Sequence, residues 1–286
     1  MTVVQVIVGG LLLGAVYALF SSGLTLIWGM MNVINFAHGE FVMIGMYLAF
    51  LVVTYVHGGP VVFGPSAAVL LFLFGILVYY GLIRHVMRGP MLAQILSTFG
   101  LALLLRYLAF WIFSANFKTL PENLIPGVIN LGGILLGMPQ LVAGVVALVL
   151  TIGMHLLLTR TAVGSQLLAV AEDRQAAMLM GIRPDRMQAF AWGLSAAGAG
   201  IAGALIATFY YISPTVGESL ALTAFVVVAF GGFGSVPGAM VAGLLIGVIQ
   251  SLSAYLLGPV YKDVVVYALF VAILWLRPEG LFGKAA

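Results

Sequence analysis

The chain has 286 residues, 63% of them hydrophobic and only 7% charged, with 36 glycines, no cysteine and a net charge of +3. A soluble domain carries about 25% charged residues, so these proportions exclude a soluble globular protein and place the chain in a lipid bilayer. Without cysteine, disulfides, thiolate metal sites and cysteine nucleophiles are excluded as well.

A helix crossing a bilayer needs about 20 apolar residues. Val6–Trp28 supplies the first span. Met1–Gly14 has no Lys or Arg and the apolar run continues well past it, so a span is expected there and not a signal peptide. Ala37–Val56 is the second span, and His57–Pro60 is a turn with Gly58, Gly59 and Pro60 as breakers. Val61–Ile83 is the third, ending at Arg84, His85 and Arg88. Leu92–Phe113 is the fourth and holds Arg106. Ser114–Gly137 is a longer outer loop with Lys118, Glu122 and a small re-entrant element. Gln140–Leu158 is the fifth, ending at Arg160. Thr161–Arg186 is a long polar stretch. Ala189–Ile212 is the sixth span. Ser219–Phe230 and Ala239–Leu257 flank a glycine-rich break at Gly231–Gly238, and Val264–Leu276 closes the series at Arg277. The fold class is an all-α polytopic integral membrane protein of about nine transmembrane or re-entrant helices, some of them broken. Seven remains open if Ser219–Leu257 makes one re-entrant pair and another segment is misread.

Basic residues orient the chain. Arg84, Arg88, Arg160, Arg174, Arg183, Arg186, Arg277 and Lys284 fall on one side if the spans alternate. Lys118 and Lys262 fall on the other, and Arg106 lies within a span; together these are all 11 Lys and Arg. Such a bias marks the cytoplasmic side, with the N-terminus outside, the C-terminus in the cytoplasm and an odd number of spans.

Polar residues inside apolar surroundings need a reason, because hydrocarbon penalises unpaired polar groups by several kcal/mol, roughly. Gly29–Gly45 places Asn32, Asn35, His38, Gly39 and Glu40 between two apolar runs. The expectation is a helix break on the gate side, where these groups satisfy freed backbone atoms. His38 and Glu40 have no second His or carboxylate at a helical ligand spacing, and no H-E-x-x-H occurs, so neither a metal site nor catalysis is expected. Gly231, Gly232, Gly234 and Gly238 interrupt the second half in a similar way. Paired interruptions point to a transport pathway, and glycine-rich packing corners are the plainer alternative. Arg106 is expected to pair with Glu40 or with an acid of another subunit, the alternative being a helix-end Arg that snorkels. Glu218, with Tyr210 and Tyr211, reads as an outer interfacial anchor or a docking contact. His57, His85 and His155 mark span ends.

Gly164–Arg186 reads G-S-Q-L-L-A-V-A-E-D-R-Q-A-A-M-L-M-G-I-R-P-D-R. A helix over Ser165–Met180 is expected, with Ser165 as N-cap, Gly181 as C-terminal cap and Pro184 preventing continuation. Asp173, Ala177 and Gly181 stack on one side. A pattern of this kind suits either a helix docking in a partner's groove or one lying on the membrane surface.

The order of residues in this segment carries a resemblance. Gln175-Ala176-Ala177, three residues, then Gly181 is similar to the E-A-A-x-x-x-G loop of ABC importer permeases, with Gln175 in place of the Glu and without the usual apolar-proline continuation. Gly10–Glu40 with its N-F-A-H-G-E, Ala171–Ile182, and Phe230–Gly243 with its F-G-G-F-G-S-V-P-G resemble, in order, the LivH-type permeases of branched-chain amino-acid ABC importers. The resemblance implies a single permease domain over residues 1–286 with a coupling loop at about 160–187. It implies that Glu172, Asp173, Gln175, Ala176, Ala177, Gly181 and Ile182 seat against an ATPase. Implied partners are a second homologous permease, two ABC ATPases and a periplasmic or extracellular binding protein, in a bacterial-type inner membrane, with no nucleic acid. ATP and Mg would bind in the ATPases, since this chain has no G-x-x-x-x-G-K-[ST] loop, and the chain itself would be neither an enzyme nor a cofactor carrier. Alternative readings are a permease for urea or short-chain amides, and an ATP-independent secondary transporter or channel.

Overall fold

The computed structural model describes residues 2–87, 89–121, 124–277 and 280–282. Arg88, Glu122 and Lys284 lie outside the described residues. The helices in chain order are α1 (Thr2–Met31), α2 (His38–Leu51, continued by a π-helical turn at Val52–Val56), α3 (Pro60–Val78, continued through Tyr79–Ile83 to Arg84–Val86) and α4 (Met91–Phe113). A β-hairpin follows, β1 (Val128–Leu131) and β2 (Ile134–Gly137). The chain then forms α5 (Met138–Arg160), α6 (Ala162–Glu172), α7 (Arg174–Leu179), α8 (Pro184–Ile206), α9 (Val216–Gly231), α10 (Val236–Leu256) and α11 (Lys262–Leu276). Among the described residues, 8 helices are long and apolar enough to cross a membrane, and α9 is a shorter apolar helix beside them.

Helix α8 is the centre of the bundle, with 83% of its apolar window buried against 6% for the last helix. Its sequence S-A-A-G-A-G-I-A-G-A explains why. Small residues let neighbouring backbones approach closely, which is how helices associate in lipid without a hydrophobic driving force. Ser195 lies against Gly23 of α1, Gly200 against Gly45 of α2, and Gly193 against Phe72 of α3. The longest seam runs between α1 and α10. There, a Cβ on Gly14 would sit 2.8 Å from the Cα of Leu244, and one on Gly10 would sit 2.8 Å from the Cα of Val248.

Several expected boundaries shift. The sixth span ends at Ile206, not Ile212, and α8 begins at Pro184, which fixes the first helical turn without needing an N–H donor. The expected helix over Ser165–Met180 is two helices broken at Asp173, because the Asp173 carboxylate accepts the N–H groups of Gln175 and Ala176 and restarts the helix there. The N-cap of the first piece is Thr161, whose hydroxyl accepts from Gly164, and not Ser165. Gly181 does cap the second piece. At φ +80 it closes a double turn in which Ile182 N–H bonds to Ala177 O and Gly181 N–H to Met178 O. The loop after α4 holds the antiparallel β-hairpin where a re-entrant element was expected.

Candidate functional site

Two helices start inside the bundle and not at its ends. Helix α1 stops where Asn32 turns left-handed (φ 52), a conformation Asn tolerates better than most side chains. Asn32–Ala37 then runs back without helix. Asn35 shapes this return: its side-chain oxygen accepts from Ala37 N–H at 3.1 Å and its carbonyl from His38 N–H at 3.3 Å. Helix α2 therefore begins beside Phe20, whose carbonyl bonds to His38 Nε2 at 2.7 Å. At ~1.5 Å per residue, that is about 16 Å back along α1 from Met31.

The second half repeats the device. The stretch 207–215 leaves α8, pairs with the loop after α4 through the bridge between Ile212 and Lys118, and enters α9 at Val216. The N-terminus of α9 meets that of α2: Gly39 lies against the Gly217 carbonyl and Ala221, and Gly217 against the Glu40 carboxylate. Each helix carries Gly-Glu at its second and third positions, Gly39-Glu40 and Gly217-Glu218.

Arg106 of α4 joins the two. Its Nε and Nη2 donate to Glu40 Oε1 at 3.0 and 2.7 Å, and its Nη1 donates to Glu218 Oε2 at 2.7 Å. Glu40 is 1% exposed, Arg106 18% and Glu218 62%. Two carboxylates and one guanidinium leave one net negative charge. Two helix N-termini face it, each equivalent to about half a positive charge, so the cluster is balanced without a further ion. The site lies about 10 Å inside the Phe113 end of α4 at ~1.5 Å per residue.

Buried polar atoms without partners among the described residues include Asn35 Nδ2, His38 Nδ1 and Glu40 Oε2. No group of three or more metal-ligating side chains occurs among the described residues. Glu218, read as an outer anchor or docking contact, is exposed and also accepts from Arg106. Asn32 is exposed at the end of α1 and takes no part in the ion cluster. The glycine-rich segment lies in the break between two apolar helices. Gly231, Gly232, Gly234 and Gly238 form the tight turn between α9 and α10 at the Arg-rich end. Gly232 and Gly234 have φ +95 and +82, and Gly234 N–H donates to Thr25 of α1 at 2.9 Å. The irregular entry that mirrors Asn32–Ala37 is 207–215. The repeated Gly-Glu at the start of an apolar helix is the sequence signal that marks it.

At the Arg-rich end, the segment around α7 presents an apolar tip. Leu179 is 90% exposed and Met180 82%, whereas Ala177 is buried. Asp185, in the first turn of α8, holds Arg174 at 2.9 Å and Arg84 of α3 at 3.2 Å. The tip is thus clamped to α3 and runs through a short turn straight into the central helix α8. Glu172, Asp173, Gln175, Ala176, Ala177, Gly181 and Ile182 all fall on this segment, well away from the Glu40–Arg106–Glu218 cluster.

Residues 6–274 match the family model described as the permease component of branched-chain amino acid transport systems. The chain belongs to that family. Curated relatives agree over nearly the full length. The high-affinity branched-chain amino acid transport system permease protein BraD of Pseudomonas aeruginosa is 32% identical, over 98% of this chain and 95% of the relative. LivH of Escherichia coli is 31% identical over 98% of this chain and 95% of its own length. A probable LivH of Methanocaldococcus jannaschii is 28% identical over 98% and 92%. No solved structure matches the chain. This permease is therefore an all-α, multi-pass membrane transport subunit.

Proposed function

We propose that the permease imports branched-chain amino acids as one of two homologous membrane subunits, driven by two ABC ATPases and fed by a substrate-binding protein. The chain itself holds no nucleotide. Its basic end faces the cytoplasm, and its N-terminus faces outside. The observation that carries this reading is the exposed Leu179–Met180 tip, clamped by Asp185 and continuous with α8. Movement of an ATPase against that tip acts on α8, which packs on α1, α2 and α3 by close glycine contacts. The same movement reaches the paired half-helices α2 and α9 and their Arg106 clasp, which serve as the gate. Urea and short amides are the competing substrates.

The test replaces Leu179 and Met180 together by Glu in cells that carry the whole transporter. Both side chains are exposed, so insertion is unaffected. Uptake of leucine and co-purification of the ATPase should both be lost. Retained co-purification with full uptake would overturn the coupling assignment.

A further inference from the structure

At the end of the bundle opposite the basic residues, a cavity of about 730 Å³ opens between the first part of α1, the entry to α9, the end of α10 and the start of α11. Ligand sites commonly span roughly 300–1,000 Å³ and combine apolar walls with a few convergent polar groups. One wall here is polar and ordered. Tyr17, buried in the core, donates its hydroxyl to Gln250 Oε1 at 2.6 Å, and Gln250 Nε2 donates to Asp263 Oδ1 at 2.8 Å. Both hydrogen bonds of this relay point toward Asp263. The carboxylate is held by one oxygen and has no cationic partner among the described residues. Lys262 also lines the cavity and has no carboxylate partner among the described residues. Leu13, Ile206 and Leu220 supply apolar surface. At the mouth Tyr210 donates to Tyr211 at 3.3 Å.

The geometry points to this cavity as a binding site within the permease for a zwitterionic α-amino acid with an aliphatic side chain. Asp263 would accept the ammonium, Lys262 would hold the carboxylate, and the side chain would rest on Leu13, Ile206 and Leu220. This assignment rests on the proposed import of branched-chain amino acids and gives that pathway a station between the binding protein and the gate. It also supplies a route for substrate to be sensed. Helix α9 separates the cavity from the ion cluster, with Ser219, Leu220 and Thr223 facing the cavity and Glu218 on Arg106. Occupancy therefore presses on one face of the half-helix whose other face is clasped.

The test measures equilibrium binding of radiolabelled L-leucine to the permease in lipid nanodiscs, with leucine uptake by the whole transporter followed in parallel. Saturable binding is expected, competed by isoleucine and valine and not by urea. Asp263→Asn keeps an oxygen for Gln250 and should fold normally, which a thermal melt checks. It should weaken leucine at least tenfold, about 1.4 kcal/mol. Lys262→Met should weaken leucine strongly and leucinamide, which has no carboxylate, far less. Wild-type affinity in Asp263→Asn, or no binding by a permease whose full transporter imports leucine, would overturn the site and leave the import reading standing. A full transporter that imports urea and not leucine would overturn both.

Discussion

Replacing Arg106 by Met tests whether the ion cluster holds the two half-helices together. The substitution deletes two hydrogen bonds to Glu40, at 3.0 and 2.7 Å, and leaves a carboxylate that is 1% exposed, with Oε2 already lacking a partner among the described residues. Removing one member of a buried ion pair costs about 3–5 kcal/mol. Two hydrogen bonds to a charged group, at about 1.5–3 kcal/mol each, lead to a similar figure. At ~2–4 °C per kcal/mol for a chain of comparable length, the midpoint of unfolding in detergent should fall by ~6–20 °C. Glu218→Gln should cost no more than ~1 kcal/mol, because that side chain is 62% exposed and an exposed ion pair is worth little. Glu40→Gln keeps an acceptor for Arg106, so it should impair uptake more than membrane insertion. The double variant Arg106→Met with Glu40→Gln should recover most of the lost stability. A midpoint for Arg106→Met within ~2 °C of the parent, or a double variant as unstable as the sum of the singles, would refute the reasoning.

Two further substitutions probe the neighbouring geometry. Gly217→Ala places a methyl group against the Glu40 carboxylate, which Arg106 prevents from turning away, and overpacking of this kind costs ~1–3 kcal/mol. The loss should shrink in a Glu40→Ala background, and the thermal midpoints of the two pairs give the comparison. Asp173→Ala removes the cap of α7, worth about 1 kcal/mol. Hydrogen exchange should rise locally over Arg174–Gly181 with the global melt little changed; a large global loss would show that this segment holds the bundle together.

The apolar runs were legible because a helix in lipid must satisfy its own backbone over a fixed length. Nearly every span was thereby located to within a few residues, and the nine apolar segments expected include the short α9. Stops were legible where the chemistry is local: Asn32 with its left-handed φ and Gly181 at φ +80. The break at Asp173 was not. The same residue can continue a helix or cap the next one, and Asp173 takes the second role next to a tip clamped by Asp185 to Arg174 and Arg84. The pairing of Glu218 with Arg106 was not legible for a related reason. Span counting treats a helix as starting at a surface, and α9 starts about 10 Å inside, measured along α4 at ~1.5 Å per residue.

Composition and order by themselves determined that this chain lives in a bilayer, which end is basic, and which segment carries the exposed apolar tip. These properties are sums over local residues or follow from short-range rules. Tertiary structure alone decided that Gly39-Glu40 and Gly217-Glu218 meet, that one arginine clasps both, and that Tyr17, Gln250 and Asp263 share a cavity. Tyr17 and Gln250 lie 233 positions apart, and Arg106 and Glu218 lie 112 apart. Contacts of that range depend on where glycine-lined helices cross, and a crossing is set by the fit of two surfaces that no single stretch of sequence contains.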